Sequence, residues 1–246
     1  MNAAKICNVP FLSPSNSPGE LIFDPKLGRK VLYQSMFSGV EGRPPALVRN
    51  DFERHEYASF AQPAGRGSWQ VRLVSDDKVW FGMNGVGQPA CFDPATEVYE
   101  DVPSYKASEK TSHLTDVVEG HDGRLYMPSF PAGKLVAFDR DTGDYQEYPV
   151  GKKNHQLYAA CLTDSGLIGI LNGLQHGVYT LDPRVGEVKL ESPSQIVGRS
   201  DAYSAFLRCG DQVLITVGHP EGGIEICRFS ALDLAFLSSF VITPAI

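Results

Sequence analysis

Four of the six histidines follow one rule of placement: His113, His155, His176 and His219 each stand in a short polar or glycine-containing stretch beside a β-prone run. Imidazole titrates nearest neutral pH, so a histidine that meets a carboxylate is the residue type suited to general acid–base work. Ser200-Asp201-Ala202-Tyr203 supplies that carboxylate and a phenol. His113 and His155 are therefore the candidate acid or base, with Asp201 orienting or polarising. Phe37, Trp69, Phe130 and Tyr158 supply aromatic walls for a flat or apolar ligand. Gln70, Asn84, Asn172, His176, Tyr203 and His219 supply polar groups to orient it. The implied partner is a small organic molecule, and the implied reactions are elimination, cyclisation, isomerisation or lactone hydrolysis.

Other chemistries lack their residues. The chain has no Gly-x-Ser-x-Gly, no His-Glu-x-x-His, no phosphate-cradling glycine loop before a helix and no Ca²⁺-binding loop. A glycosidase would need carboxylates on several inner strands, and only Asp116 and Asp201 qualify. The formal charge of −7 and the scattered Lys and Arg give no basic footprint for nucleic acid or an anionic membrane. No apolar run approaches the roughly 20 residues of a membrane helix, and the first ten residues do not read as a secretory signal. Five cysteines without a CxxC pair suggest reduced thiols, mostly buried in strands, and a cytoplasmic setting. No residue pattern assigns an oligomeric state.

These candidates are far apart in sequence, so a repeated scaffold must gather them. Ala90-Cys91-Phe92-Asp93-Pro94, Val136-Ala137-Phe138-Asp139-Arg140 and Tyr179-Thr180-Leu181-Asp182-Pro183 share one pattern, a β-prone run closed by Asp. Asp51 and Ser230 end weaker copies. Successive equivalents lie 42, 46, 43 and 48 residues apart, the length of one four-stranded blade. The expectation is an all-β chain, a single β-propeller domain over 1–246 of about five four-stranded blades, near 18–62, 68–105, 112–150, 155–192 and 200–242. Residues 1–17 would be a closing segment, with Lys5–Leu12 an edge strand. Gly19–Phe23 followed by Asp24-Pro25 also matches the third-strand pattern, which leaves a six-bladed alternative with an incomplete first blade. Inner strands are expected at Ser68–Ser75, His113–Glu119, His155–Thr163 and Ala202–Arg208. In such a wheel the candidate residues fall on loops at one mouth of the central channel.

Asp77-Lys78-Val79-Trp80-Phe81-Gly82 and Asp122-Gly123-Arg124-Leu125-Tyr126-Met127, each followed by the Phe-Asp strand, resemble the propellers of the virginiamycin B lyase, gluconolactonase (senescence-marker) and pyrroloquinoline-quinone-type repeat families. The resemblance lies in the repeat pattern of about residues 45–242. Its lyase members continue the second strand into Thr-Glu near a metal, where this chain has Gly82-Met83-Asn84 and Met127-Pro128-Ser129. Its lactonase members use a Glu, an Asn and an Asp for calcium; Asn172 and Asp201 match two of these and no Glu matches the third. No cofactor is assigned to named residues, and a divalent Ca²⁺ or Mg²⁺ in the channel stays an open alternative.

Overall fold

The computed structural model describes residues 19–37, 44–150, 152, 155–173, 177–192, 206–219 and 223–242. Asp201, Tyr203, His176 and the Lys5–Leu12 segment lie outside the described residues. Among those described, every regular element is a β-strand, arranged as successive antiparallel meanders. The first sheet runs β1 (Glu20–Asp24), β2 (Arg29–Met36), β3 (Ala46–Asp51) and β4 (Glu56–Ala61). The second runs β5 (Arg72–Leu73), β6 (Val79–Met83), β7 (Gln88–Asp93) and β8 (Val98–Glu100). After β9 (His113–Leu114), the third contains β10 (Val118–Glu119), β11 (Leu125–Phe130), β12 (Lys134–Phe138) and β13 (Tyr145–Pro149). The fourth is β14 (Leu157–Leu162), β15 (Ile168–Asn172), β16 (Gly177–Asp182) and β17 (Glu187–Leu190). The fifth is β18 (Leu207–Cys209), β19 (Gln212–Gly218), β20 (Ile224–Ser230) and β21 (Phe236–Ile242). The chain divides into two compact units, 1–106 with 112–116 and 107–111 with 117–246.

The repeat is closed by one turn chemistry. Asp93, Asp139 and Asp182 accept backbone N–H groups on Oδ1 from Ala95, Asp141 and Arg184, two residues ahead, at 2.8–3.0 Å. Asp51 does the same for Glu53, and Ser230 uses its hydroxyl for Leu232, both at 3.2 Å. Such a side chain replaces backbone partners that a tight turn cannot supply. Four residues after each anchor the chain turns left-handed, at His55, Glu97, Gly143, Gly186 and Leu234, with φ between 58 and 78°. The Thr142 N–H, against the effect of burial, and the Asp141 N–H hold the Asp139 carboxyl below its ordinary value.

Asp24 builds the same turn, taking the Lys26 and Leu27 N–H groups at 2.9 and 3.0 Å, with Gly28 at φ 66°. The turn nevertheless joins the first and second strands of a sheet whose order is β1-β2-β3-β4. This arrangement gives the five-bladed register and removes the six-bladed one. Asp24 is fully buried and also accepts from Tyr33 Oη at 2.8 Å and from Arg49 at 3.1 Å. The second and third sheets make a related bond between residues closer in sequence, Trp80 Nε1 to Asp76 at 3.2 Å and Tyr126 Oη to Asp122 at 2.6 Å.

Within the first unit, Ile22, Val31, Tyr33 and Leu47 pack against Val79, Phe81, Met83 and Phe92, so the first two sheets share an apolar layer. Within the second, Tyr126, Leu135 and Tyr148 meet Leu157, Ile168 and Ile170. Leu171 and Val178 meet Val213, Ile215 and Phe229. Burial of such layers, at about 25 cal/mol per Å² of apolar surface, is the main favourable contribution to the fold.

Three strand expectations change. Ser68–Ser75 contributes only Arg72–Leu73 as strand, because the Ser68 N–H goes to Ser35 Oγ at 2.7 Å and its hydroxyl to the Gln70 carbonyl at 2.7 Å. His113–Glu119 splits into β9 and β10 around Asp116, which is fully buried and holds Arg72 through Nε at 3.0 Å and a terminal nitrogen at 3.2 Å. The fifth inner strand is found at Leu207–Cys209, and Cys209 is exposed rather than buried. Cys91 and Cys227 are buried and Cys161 half-buried; all four are free thiols.

Gly143 has φ 78°, where a Cβ is penalised by about 1–2 kcal/mol. Gly143→Ala is expected to lower the free energy of unfolding by about 1 kcal/mol, read from a urea midpoint at unchanged slope. An unaltered midpoint would contradict the turn assignment.

Candidate functional site

The first unit brings the Phe37, Trp69 and Asn84 segments together, and the Arg66 charge is felt at His113. Phe37 directly follows the β2 strand, Trp69 precedes β5, and Asn84 opens the turn between β6 and β7. Two backbone bonds lock the last two segments together: Arg66 N–H donates to the Asn84 carbonyl and Asn84 N–H to the Gly67 carbonyl, both at 2.8 Å. Gly67, at φ 116°, lies so close to Phe37 that a Cβ there would stand 2.8 Å from the Phe37 Cα. The Phe37 and Trp69 rings meet edge-on, centroids 5.4 Å apart at 66°. Beneath them Ser35 Oγ accepts from the Ser68 N–H at 2.7 Å and the Gln62 amide at 2.8 Å.

Asn84 is the anomaly of this cluster. It is 3% exposed, and among the described residues neither Oδ1 nor Nδ2 has a hydrogen-bond partner. A buried polar group left unmatched costs about 1–3 kcal/mol, and such groups in a folded protein call for a reason.

His113 is half-buried, its Nδ1 2.6 Å from Ser112 Oγ. Burial, then the Arg66 guanidinium, holds its pKa below the ordinary value. The imidazole is therefore neutral at pH 7. In the tautomer that donates Nδ1–H to Ser112 Oγ, Nε2 is the acceptor nitrogen that a base requires. Gln70 is half-buried and contributes its backbone carbonyl to Ser68.

The second unit gathers His155, Tyr158 and Asn172 at one end of the fourth sheet. Asn172 is fully buried at the end of β15, and its Nδ2 lies 2.9 Å from His155 Nδ1. The Lys152 N–H donates to the same Nδ1 at 2.9 Å. Burial, then Lys152, lowers the His155 pKa. Gly173 follows, its N–H on the Gln156 carbonyl at 2.9 Å. A Cβ on Gly173 would fall 1.5 Å from the Tyr158 ring, so only glycine lets the ring lie there. Phe130 ends β11 ahead of a cis Pro131, and the His219 N–H donates to the Gly223 carbonyl at 3.2 Å.

Arg66 and Ser112 were not among the candidates read from the sequence. Ser112 directly precedes His113, and adjacency was the available signal; Arg66 lies in a glycine-flanked loop, and only its fold-dependent approach to His113 reveals it. A cavity of about 340 Å³ in the second unit is lined by Arg124, Asp139, Asp144 and Tyr145. It lies at the Asp139-turn end of its sheet, away from the Ser129-Phe130 loop. Among the described residues no three of His, Cys, Asp and Glu gather to hold a metal ion.

The sequence matches no protein-family model and no curated protein. Solved structures do match. Virginiamycin B lyase from Staphylococcus aureus aligns with a TM-score of 0.71 at 12% identity, over 93% of this chain and 71% of the lyase. The chain has the virginiamycin B lyase propeller fold. A catalytically inactive His-to-Ala variant of that lyase, solved with quinupristin, aligns over 96% of this chain and 73% of its own, at TM-score 0.71 and 12% identity. An auxiliary nutrient binding protein from Bacteroides thetaiotaomicron aligns with a TM-score of 0.60 at 14% identity, over 89% of this chain and 56% of that one. At these identities the propeller fold is what is shared.

Asn84→Leu, with the same number and branching of side-chain heavy atoms, replaces an unmatched buried amide with an apolar side chain. It is expected to raise the free energy of unfolding by about 1–3 kcal/mol, read as a higher denaturation midpoint. A lower midpoint would mean that Asn84 is already satisfied in the folded chain.

Proposed function

We propose that this chain is a small-molecule-binding propeller that acts as a lyase-type enzyme through the cluster of Phe37, Trp69, Asn84 and His113. The observation that carries the reading is Asn84, a buried amide with both polar atoms free, beside an aromatic pair. A ligand carrying an acceptor and a donor, such as an amide, would satisfy Nδ2 and Oδ1 at once. Its apolar part would lie against Phe37 and Trp69. The desolvation cost already present in the empty site then becomes selectivity for a ligand that can pair with it.

His113 has the state an elimination requires. A neutral imidazole removes a proton from carbon, the C–H electron pair becomes the new double bond, and the bond to the leaving oxygen breaks with its electrons on oxygen. Ser112 fixes the ring, and the depressed pKa keeps the base form available at pH 7. The dependence of a propeller lyase of the same fold on a histidine supports this assignment. The nutrient-binding neighbour supports a second reading, in which the same cluster holds a ligand without turnover.

Quinupristin, bound by the structural neighbour, is the first probe, with substrate loss followed chromatographically. His113→Ala is expected to lower turnover by about 10²–10⁴-fold while leaving probe affinity within a few-fold; Asn84→Leu is expected to lose affinity. In wild type, turnover should rise with pH through a midpoint below about 6.5, because the base must be unprotonated and its pKa is depressed. Binding without turnover would select the second reading, and binding untouched by Asn84→Leu would remove the site.

A further inference from the structure

The contacts of His155 define its chemistry more narrowly than its residue type does. A neutral imidazole has one N–H and one acceptor nitrogen. Here two donors, the Lys152 N–H and the Asn172 Nδ2, both converge on Nδ1 at 2.9 Å. A proton on Nδ1 would face both donors, so Nδ1 must be the acceptor and Nε2 must carry the hydrogen. Turning the Asn172 amide over would set its Oδ1 against the lone pair of Nδ1, which Lys152 requires to be unprotonated. The amide orientation follows from the ring; among the described residues Oδ1 of this fully buried Asn172 makes no hydrogen bond, and the Tyr179 hydroxyl is the other side chain within hydrogen-bonding reach of the amide. His155 is 7% exposed, and among the described residues no hydrogen bond reaches Nε2.

We infer that Asn172 and the Lys152 backbone lock His155 in the neutral Nε2–H tautomer, making it a hydrogen-bond donor for a carbonyl or carboxylate oxygen of a ligand at this end of the fourth sheet. The inference is independent of the Asn84 reading, since it concerns the second unit alone. It gives His155 the opposite task from His113: it offers a proton in a hydrogen bond and does not remove one. Neutral imidazole used in this way polarises an oxygen without becoming charged, and a depressed pKa is what keeps it neutral. Asn172 is a positioning residue, acting through the ring. The charged group that the ring senses is Lys152, whose ammonium adds to burial in disfavouring the imidazolium.

Nitrogen-15 spectroscopy of histidine-labelled full-length chain tests this directly, with His155→Gln identifying the resonance. The expected result is protonated Nε2, unprotonated Nδ1, and a titration midpoint below about 6.5. Asn172→Asp, nearly the same shape, should reverse this by offering a carboxylate to the ring, raising the His155 midpoint above that of wild type. Acetamide, whose carbonyl is a neutral acceptor, should move the Nε2–H resonance of wild type. Protonated Nδ1, or an ordinary titration near 6.5, would overturn the lock. A resonance indifferent to both acetamide and acetate would overturn the oxygen site while leaving the tautomer intact.

Discussion

A strand whose successive side chains are all buried must have partners on both faces of its sheet, because neighbouring residues point in opposite directions. β6 and β15 are such strands, buried at every position from Val79 to Met83 and from Ile168 to Asn172. β2 and β19 instead alternate between buried and half-buried positions. Two-faced burial leaves no free face on β6 or β15 on which to mount a functional group. Groups that must meet a ligand are therefore driven to strand ends and to the loops beyond them. Phe37, Trp69 and Asn84 stand at such ends, as do His155 and Asn172. The constraint that stabilises the sheets also decides where chemistry can be placed.

Strand ends carry a second burden, since the chain must turn there without abandoning its N–H groups. At one end of each sheet Asp51, Asp93, Asp139, Asp182 or Ser230 meets that need by itself. Those turns are committed to structure. At the other end no single repeated anchor serves: residues 66 and 67 exchange backbone bonds with Asn84, and Ser35, Ser129 and His155 each accept one backbone N–H. Within each sheet, then, the aspartate or serine anchor stands at one end and the loop joining the second and third strands at the other.

The repeat was legible in the sequence because its governing bonds are local: an Asp, its own turn, and a left-handed residue four positions on. The same locality made Asp24 ambiguous, since its turn is indistinguishable from the others and only strand pairing shows which strands it joins. The shortened inner strands were illegible for the converse reason. Asp116 leaves its ladder for Arg72, 44 residues away, and Ser68 turns to Ser35, 33 residues away. No pattern within one blade announces such bonds. Candidate site residues could be placed by loop position, yet their states could not. That Asn84 lacks partners, that Arg66 approaches His113, and that His155 receives two donors on one nitrogen are consequences of packing.

Two histidines with equal sequence credentials thus acquire different chemistry from their surroundings. Both have depressed pKa values for the same leading cause, burial, and a neighbouring cation adds to each. What separates them is the group at Nδ1. Ser112 is a hydroxyl and can either donate or accept, so it tolerates the tautomer in which Nε2 is the acceptor nitrogen. The Lys152 amide and the Asn172 amide nitrogen can only donate, so they forbid that tautomer. Replacing a donor-and-acceptor by two pure donors turns an available base into a fixed donor without changing the histidine or the direction of its pKa shift. Residue type names the set of roles open to a side chain; the hydrogen bond on its far nitrogen selects one.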